Sequence, residues 1–308
     1  MSEIGLVPFA RVALEVCEQV IGPYSHKFSP QRFTQPQLLA VLCLMRYEDW
    51  TFRGAEVRLS EHGELRATLR LKQVPDHTTL YRFFERLDER IIQSALTEII
   101  RRMGGRRRRR RRIIAVDATG LSPGAISTFF VRRTQHHGGA ALPWRYWLKW
   151  LLCVDVDNQL VLAQQARQGP TNDCAHLPEV VDEAARHGPL ARVLADAEFD
   201  SERNHRHVRL QHGAQSVIPA KRGKRTWKIQ GWRKQMRERF PQNLYSRRSL
   251  IESVISRIKR RLSSRAPGRS PRMQCKQALL LGLAYNLYRL WRPQECCLSN
   301  PHLSPINA

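Results

Sequence analysis

Residues 113–117 read I-I-A-V-D, a short apolar run that ends in a carboxylate, as a buried strand does when it delivers an acidic side chain at its tip. The pattern returns at 191–195, which leads into Asp196 within L-A-D-A-E-F-D (194–200). Between the two, residues 147–166 read as a hairpin that turns at Asp157-Asn158. Residues 178–186 and 201–212 read as helices and 214–218 as a strand, and two long helices, about 245–262 and 273–291, close the region. Strands first, then strand alternating with helix, predict an α/β fold: a mixed sheet with helices on both faces. No internal repeat is apparent.

Working back toward the first residue, the texture changes. Residues 106–112 are seven consecutive arginines that follow Gly104 and Gly105. Such a block repels itself and stays solvated, so it marks a boundary and reads as a linker that adds non-specific affinity for DNA. Residues 1–105 read as a small all-α domain. Thr34 is placed to cap a helix with Pro36 in its first turn, followed by Leu38, Leu39, Val41, Leu42 and Leu44. P-D-H-T-T-L-Y-R-F-F-E-R-L (75–87) starts with turn and capping residues and continues with Leu80, Phe83, Phe84, Leu87 and Ile91 at helical spacing. This helix either reads DNA as part of a helix-turn-helix or packs its neighbours, and spacing does not separate the two. The resulting division is 1–105, a helical domain expected to bind DNA; 106–112, the arginine linker; and 113–295, the α/β domain, with a short basic insertion at about 221–244.

Lys and Arg number 52 against 27 Asp and Glu, a formal charge of +25. That imbalance favours a polyanionic partner, of which nucleic acid is the usual one. A membrane surface competes, but there is no apolar run of roughly 18 residues and no basic-then-apolar leader, so the expectation is a cytoplasmic, nucleoid-associated protein with no membrane partner. The seven cysteines (Cys17, Cys43, Cys153, Cys174, Cys275, Cys296 and Cys297) show no C-x-x-C pair and no alternating Cys/His spacing. That argues against a zinc site and against a disulfide framework, and leaves reduced, buried thiols.

One strand-end aspartate usually caps a turn. Two of them, Asp117 in A-V-D-A-T-G and Asp196, each followed by a small residue, leave room for a ligand. Oxygen-rich carboxylate clusters suit hard cations such as Mg²⁺ or Mn²⁺. A third carboxylate sits in Y-S-R-R-S-L-I-E-S-V-I-S-R-I-K (245–259). On a continuous α-helix, Tyr245, Arg248, Glu252 and Lys259 fall within an arc of roughly 60° and form a polar stripe about 21 Å long. Leu250, Ile251, Val254, Ile255, Ile258 and Leu262 form a separate apolar stripe that can dock on a sheet.

Asp117, Asp196 and this Tyr-x2-Arg-x3-Glu-x6-Lys spacing resemble the catalytic signature of bacterial insertion-sequence DDE transposases, the insertion-sequence 4/5 group with its Y-R-E-K helix. The resemblance covers most of the chain from about residue 34, more loosely over 34–104. It implies an RNase H-like core in which Asp117, Asp196 and Glu252 are catalytic and hold two divalent metal ions, Mg²⁺ or Mn²⁺. It also implies that Tyr245, Arg248 and Lys259 contact transposon-end DNA, and that a homodimer works on terminal inverted repeats and target DNA. The chemistry implied is a two-metal in-line displacement that frees a 3′-hydroxyl at the element's end and joins it to target DNA. Two features depart from the pattern. The arginine run is not part of it, and the 55 residues between Asp196 and Glu252 are too few for the β-rich insertion of some relatives.

Other candidates rank lower. Asp155 and Asp157 sit at the hairpin turn, and Asp173 is expected to cap the helix that follows. Glu198 and Asp200 are candidates for a supporting role beside Asp196. Trp227 and Trp232, inside the basic stretch 221–234, either stack on unpaired bases or, more commonly for such residues, pack on the surface. No nucleophilic triad and no phosphate-binding G-x-x-x-x-G-K-[S/T] loop is present. The competing readings are a domesticated, non-catalytic DNA-binding derivative of a transposase and a plain metal-dependent nuclease.

Overall fold

The computed structural model describes residues 5–26, 28, 31–104, 111–123, 147–169, 171–221 and 229–298, the last seven as backbone only. The chain forms two compact units, one of residues 1–103 with 283–308 and one of residues 104–282.

The first unit is helical: α1 (Leu6–Val20), α2 (Gln35–Tyr47), α3 (Phe52–Glu61), α4 (Gly63–Thr68), α5 (His77–Arg86) and α6 (Glu89–Met103). The Thr34 hydroxyl accepts from the Gln37 N–H and the Gln37 side chain accepts from the Thr34 N–H, a reciprocal cap that starts α2. Every residue from Leu38 to Met45 is buried, so α2 is the helix around which this unit packs. Phe9 of α1 stacks on Tyr47 with ring centroids 4.1 Å apart. Asp76 caps α5 by accepting from the N–H groups of Thr78 and Thr79 at 2.9 and 3.0 Å. Leu80, Phe83 and Phe84 are buried while Thr78, Arg82, Glu85 and Arg86 stay exposed. Ile91 does not extend this apolar face. The helix stops at Arg86, the chain turns, and α6 restarts the helical phase so that Ile92 is buried instead.

The second unit holds five strands: β1 (Arg112–Leu121), β2 (Leu148–Asp155), β3 (Leu160–Gln168), β4 (Leu190–Ala195) and β5 (Gln215–Val217). Their order is β3-β2-β1-β4-β5. β1, β2 and β3 pair antiparallel, whereas β4 lies parallel to β1 and β5 parallel to β4. This mixed sheet, antiparallel hairpin first and parallel strands after, is the RNase H-like arrangement expected from the sequence. Consecutive residues of β1 (Ile114, Ala115, Val116) and of β2 (Trp150 to Val154) are all buried, so both faces of the sheet are covered. The helices of this unit are α7 (Leu177–Ala185), α8 (Glu202–Arg206), α9 (Gly231–Glu238), α10 (Gln242–Tyr245), α11 (Ser249–Arg261) and the first part of α12 (Pro271–Leu298). Buried Gln164 accepts from the Trp150 indole N–H at 3.2 Å and donates to the Leu279 carbonyl at 2.8 Å, tying α12 to the sheet. The approach is close enough that a Cβ on Gly282 would collide with the Gln164 Oε1. No helix among the described residues is long and apolar enough to cross a membrane. Cys17, Cys43 and Cys153 are buried free thiols.

Three details depart from the sequence reading. Residues 201–212 are not one α-helix; after α8 the chain widens into a π-turn at His207–Gln211. Asp173 caps nothing. Asn172 supplies the cap, and the Asp173 carboxylate is buried in an ion pair with Lys149 at 2.6 Å. Arg112, the last of the seven arginines, is no solvated linker residue but the first residue of β1. Its guanidinium pairs with buried Asp155, which also accepts from the N–H groups of Asp157 and Asn158 at 2.9 and 3.1 Å. One carboxylate thus fixes the hairpin turn and the start of the central strand. Removing one partner of a buried pair leaves the other charge uncompensated. Arg112→Ala is therefore expected to cost about 3 kcal/mol in denaturant unfolding, whereas Arg111→Ala, at an exposed position, should cost less than about 0.5 kcal/mol. Equal, small losses would mean that the buried pair contributes nothing.

Candidate active site

β1 and β4 run parallel, and the last pair in register is Val116 with Ala195. The next residue along each of the two segments is Asp117 and Asp196, so the parallel register brings the two acids out next to one another. Asp117 remains in β1 and accepts from the Ala118 N–H at 2.9 Å. Asp196 leaves β4, and its carboxylate accepts from the Glu198 N–H at 2.8 Å, starting a short 3-10 turn (Ala197–Phe199).

The third acid comes from the helix that packs against β1. The continuous helix expected over 245–262 is interrupted: α10 ends at Tyr245, Ser246–Arg248 form a 3-10 turn, and α11 begins at Ser249. The Ser249 hydroxyl donates to the Ser246 carbonyl at 2.9 Å, one local bond that competes with the regular helix. The expected apolar stripe is real: Ile251, Val254, Ile255 and Ile258 are buried, as is Leu262 just beyond the helix. Arg247 pairs with Asp157, and Arg257 donates to the Gln159 Oε1 at 2.9 Å, so two bonds tie this segment to the β2–β3 turn.

With the helix held there, Arg248 meets the acids. Its guanidinium pairs with Glu252, one turn further on, and lies 3.7 Å from the Asp196 carboxylate. The Tyr245 ring lies under the same guanidinium, 5.9 Å from its centroid, and edge-on to Phe240. Burial pushes the Asp117 carboxyl up to about 6. Arg248 and the Ala118 N–H oppose that rise, and the nearby charges of Asp196 and Glu252 add to it. Burial also raises the Tyr245 phenol, which feels Arg248 and all three acids. Asp117, Asp196, Glu252, Arg248 and Tyr245 thus share one electrostatic environment. Lys259 stands apart, seven residues beyond Glu252 and so about 10 Å along the helix. It is half-buried, burial pushes its ammonium below the usual range, and it has no acidic partner among the described residues.

Three carboxylates gathered against a single guanidinium leave surplus negative charge on hard oxygen donors, which fits a divalent cation. Their oxygens are at present engaged by Arg248, Ala118 and Glu198 rather than drawn to one point. Among the described residues the group whose ligand atoms all lie within 4.8 Å of one another is a different one, Asp182 with His207 and His212. The sequence reading missed it, because its histidines are five residues apart and its aspartate lies on another helix.

The lower-ranked candidates resolve into structure. Asp200 is buried. Burial works against its charge, but His205, the Arg233 guanidinium and the Lys221 N–H outweigh it and hold the carboxyl below the usual range. It anchors the basic segment of α9 to the core. Glu198 is exposed. Trp232 is half-buried, with the Arg209 guanidinium over its ring at 5.7 Å, the surface-packed arrangement. Trp227 and Arg106–Arg110 lie outside the described residues.

Asp117 lies within β1, which continues to Leu121, rather than at a strand tip as the sequence suggested, and Asp196 directly follows β4. An RNase H-like sheet that sets two such aspartates beside a helix-borne glutamate belongs to the class of polynucleotidyl-transferase enzymes. Within that class, residues 108–287 match the family described as "Transposase DDE domain", more than half of the chain, and the chain belongs to that family. Membership implies dependence on a divalent metal. Similar solved structures include the "Mos1 transposase paired-end complex with left transposon end", 12% identical, covering 77% of this chain and 80% of that one, TM-score 0.25. The "Crystal structure of the Mos1 Strand Transfer Complex" is 15% identical, covering 90% and 80%, TM-score 0.29. The family assignment rests on the sequence match and not on these. Comparison with curated proteins found no significant match.

The raised carboxyl has a measurable consequence. Because Asp117 in the folded protein binds its proton more tightly than an ordinary Asp, its ionisation destabilises the fold as pH rises from about 4 through about 6. Asp117→Asn removes that cost. In EDTA at pH 7.5 the variant is expected to be about 1–3 kcal/mol more stable than the wild type, with the difference closing below about pH 4. A variant less stable at pH 7.5 would contradict the placement of three acids around one arginine.

Proposed function

We propose that this chain is a transposase of the insertion-sequence 4/5, Y-R-E-K type, which cuts DNA at the ends of a mobile element and transfers the freed strand into target DNA. The observation that carries the reading is the gathering of Asp117, Asp196 and Glu252, from two parallel strands and one helix, around Arg248. In this reading the three carboxylates are the catalytic residues and hold two Mg²⁺ or Mn²⁺ ions. Bound there, the ions supply a lowered pKa for an attacking water or hydroxyl and neutralise charge that builds on the phosphate.

The protein's own groups have separable tasks. Burial holds the Asp117 carboxyl up to about 6, a cost to its charged form that arriving positive charge would relieve. Arg248 holds Asp196 and Glu252 in place through opposite charge. From that position it also offers a guanidinium fork to a backbone phosphate that enters beside the acids. Tyr245 orients Arg248 through its ring and presents its phenol to the same DNA strand. Lys259, unpaired by any acid among the described residues, is placed to contact a phosphate further along. The helical domain supplies further DNA contact, with α5 the candidate reading element. Terminal inverted repeats and target DNA are the partners, and a homodimer brings both ends together.

Purified protein with labelled end DNA and Mg²⁺ is expected to cleave and join strands. Asp117→Asn, Asp196→Asn and Glu252→Gln should bind the same DNA but lose activity roughly a hundredfold or more, since even outer partners of a metal site are worth 10–100-fold. A variant that kept full activity would remove its residue from the site, and wild-type binding without any cleavage would favour the domesticated, non-catalytic reading. Lys259→Ala should weaken binding about equally for all sequences and reduce the salt slope of binding by about 1. An unchanged slope would take Lys259 out of the DNA contact.

A further inference from the structure

The π-turn at His207–Gln211 has a chemical consequence. On an α-helix, residues five apart are turned about 140° from one another. An i→i+5 turn stacks them instead, so His207 and His212 emerge on one side. Their rings lie 5.2 Å apart between centroids. Both face Asp182 on α7, with His207 Nε2 at 2.6 Å and His212 Nε2 at 2.7 Å from the same carboxylate oxygen. The two imidazoles are mostly shielded, with side chains 12% and 16% exposed, while Asp182 is 48% exposed and opens the cluster to solvent. We propose that Asp182, His207 and His212 form a binding site for one Zn²⁺ ion, which clamps α7 to the turn that leads into edge strand β5.

Two imidazole nitrogens and one carboxylate oxygen make a three-ligand zinc set, with water in the fourth position. Ligands of a tetrahedral zinc ion, each about 2.0–2.2 Å from the metal, stand about 3.3–3.6 Å apart. The present contacts need to open by less than about 1 Å to admit an ion at that geometry, and exposed Asp182 is free to make that adjustment. Nitrogen donors select Zn²⁺ over Mg²⁺, which prefers oxygen. The site is separate from Asp117, Asp196 and Glu252, so it stands whether or not the transposase reading does. It has a structural place of its own. Gly213, in left-handed backbone with φ +55°, follows His212, and its carbonyl accepts from Arg111 at 2.9 Å. The clamp therefore fixes the point where the chain entering β1 meets the chain entering β5.

The protein, stripped with chelator and titrated with ZnCl₂ in excess Mg²⁺, is expected to bind one Zn²⁺ and to unfold at higher temperature when loaded. His207→Ala and His212→Ala should each weaken that binding at least about tenfold, and Asp117→Asn should leave it unchanged. Zinc binding that survives both histidine substitutions, or that is lost in Asp117→Asn, overturns the proposal. Wild-type protein loaded with Co²⁺ gives a readout independent of variant folding. The expected result is the strong visible absorption of a tetrahedral nitrogen and oxygen site. A near-ultraviolet thiolate band, which would place the ion on a cysteine, or only the weak absorption of octahedral Co²⁺, overturns it as well.

Discussion

The parallel register of β1 against β4 is the constraint on which the rest of the α/β unit depends. Once Val116 and Ala195 are paired, Asp117 and Asp196 must emerge side by side. Two like charges at that spacing repel, and burial of Asp117 makes the repulsion worse. A cation brought to the spot, Arg248, opposes that cost. Arg248 can be there only if its helix segment is held against the sheet. The buried face of Ile251, Val254, Ile255 and Ile258 and the bonds from Arg247 and Arg257 to the β2–β3 turn hold it. Fold and candidate site are thus one arrangement, in which hydrophobic packing opposes an electrostatic cost concentrated at the acids.

The other buried acids show what an aspartate looks like when its role is structural. Asp155 pairs with Arg112 and closes the hairpin turn, Asp173 pairs with Lys149, and Asp200 is gripped by Arg233. Asp200 is held below the usual carboxylate range, while Asp117 is pushed above it. The difference is in the company each keeps: Asp200 faces a guanidinium of its own, whereas Asp117 shares one with two further acids. Electrostatic frustration of that kind, within a strand and beside a packed helix, is what the proposed cation site would relieve.

Much of this was legible in the residues. Apolar runs ending in acids located β1 and β4, the Asp157-Asn158 pair located the hairpin, and Thr34 gave a true helix cap, because each signal is local and has a local physical cause. What failed was non-local or depended on helix geometry. The arginine run reads as solvated, and only the buried partner 43 residues away shows Arg112 to be a strand residue. The 3-10 turn at Ser246–Arg248 and the π-turn at His207–Gln211 change the angle per residue, so projections that assume a regular α-helix misplace Tyr245 and overlook the His207–His212 pair. Asp182 joins that pair from a separate helix, a contact that spacing cannot reveal. Ile91 was assigned to the wrong helix because nothing in its apolar spacing marks the turn after Arg86.

The proposed convergence of three distant segments on one metal site is measured directly by affinity cleavage. Protein loaded with Fe²⁺ and treated with ascorbate and peroxide should be nicked near residues 117, 196 and 252 together, and excess Mg²⁺ should suppress all three nicks in parallel. Nicks at only one of the three segments, or nicks that Mg²⁺ suppresses to different extents, would contradict a single site built from Asp117, Asp196 and Glu252.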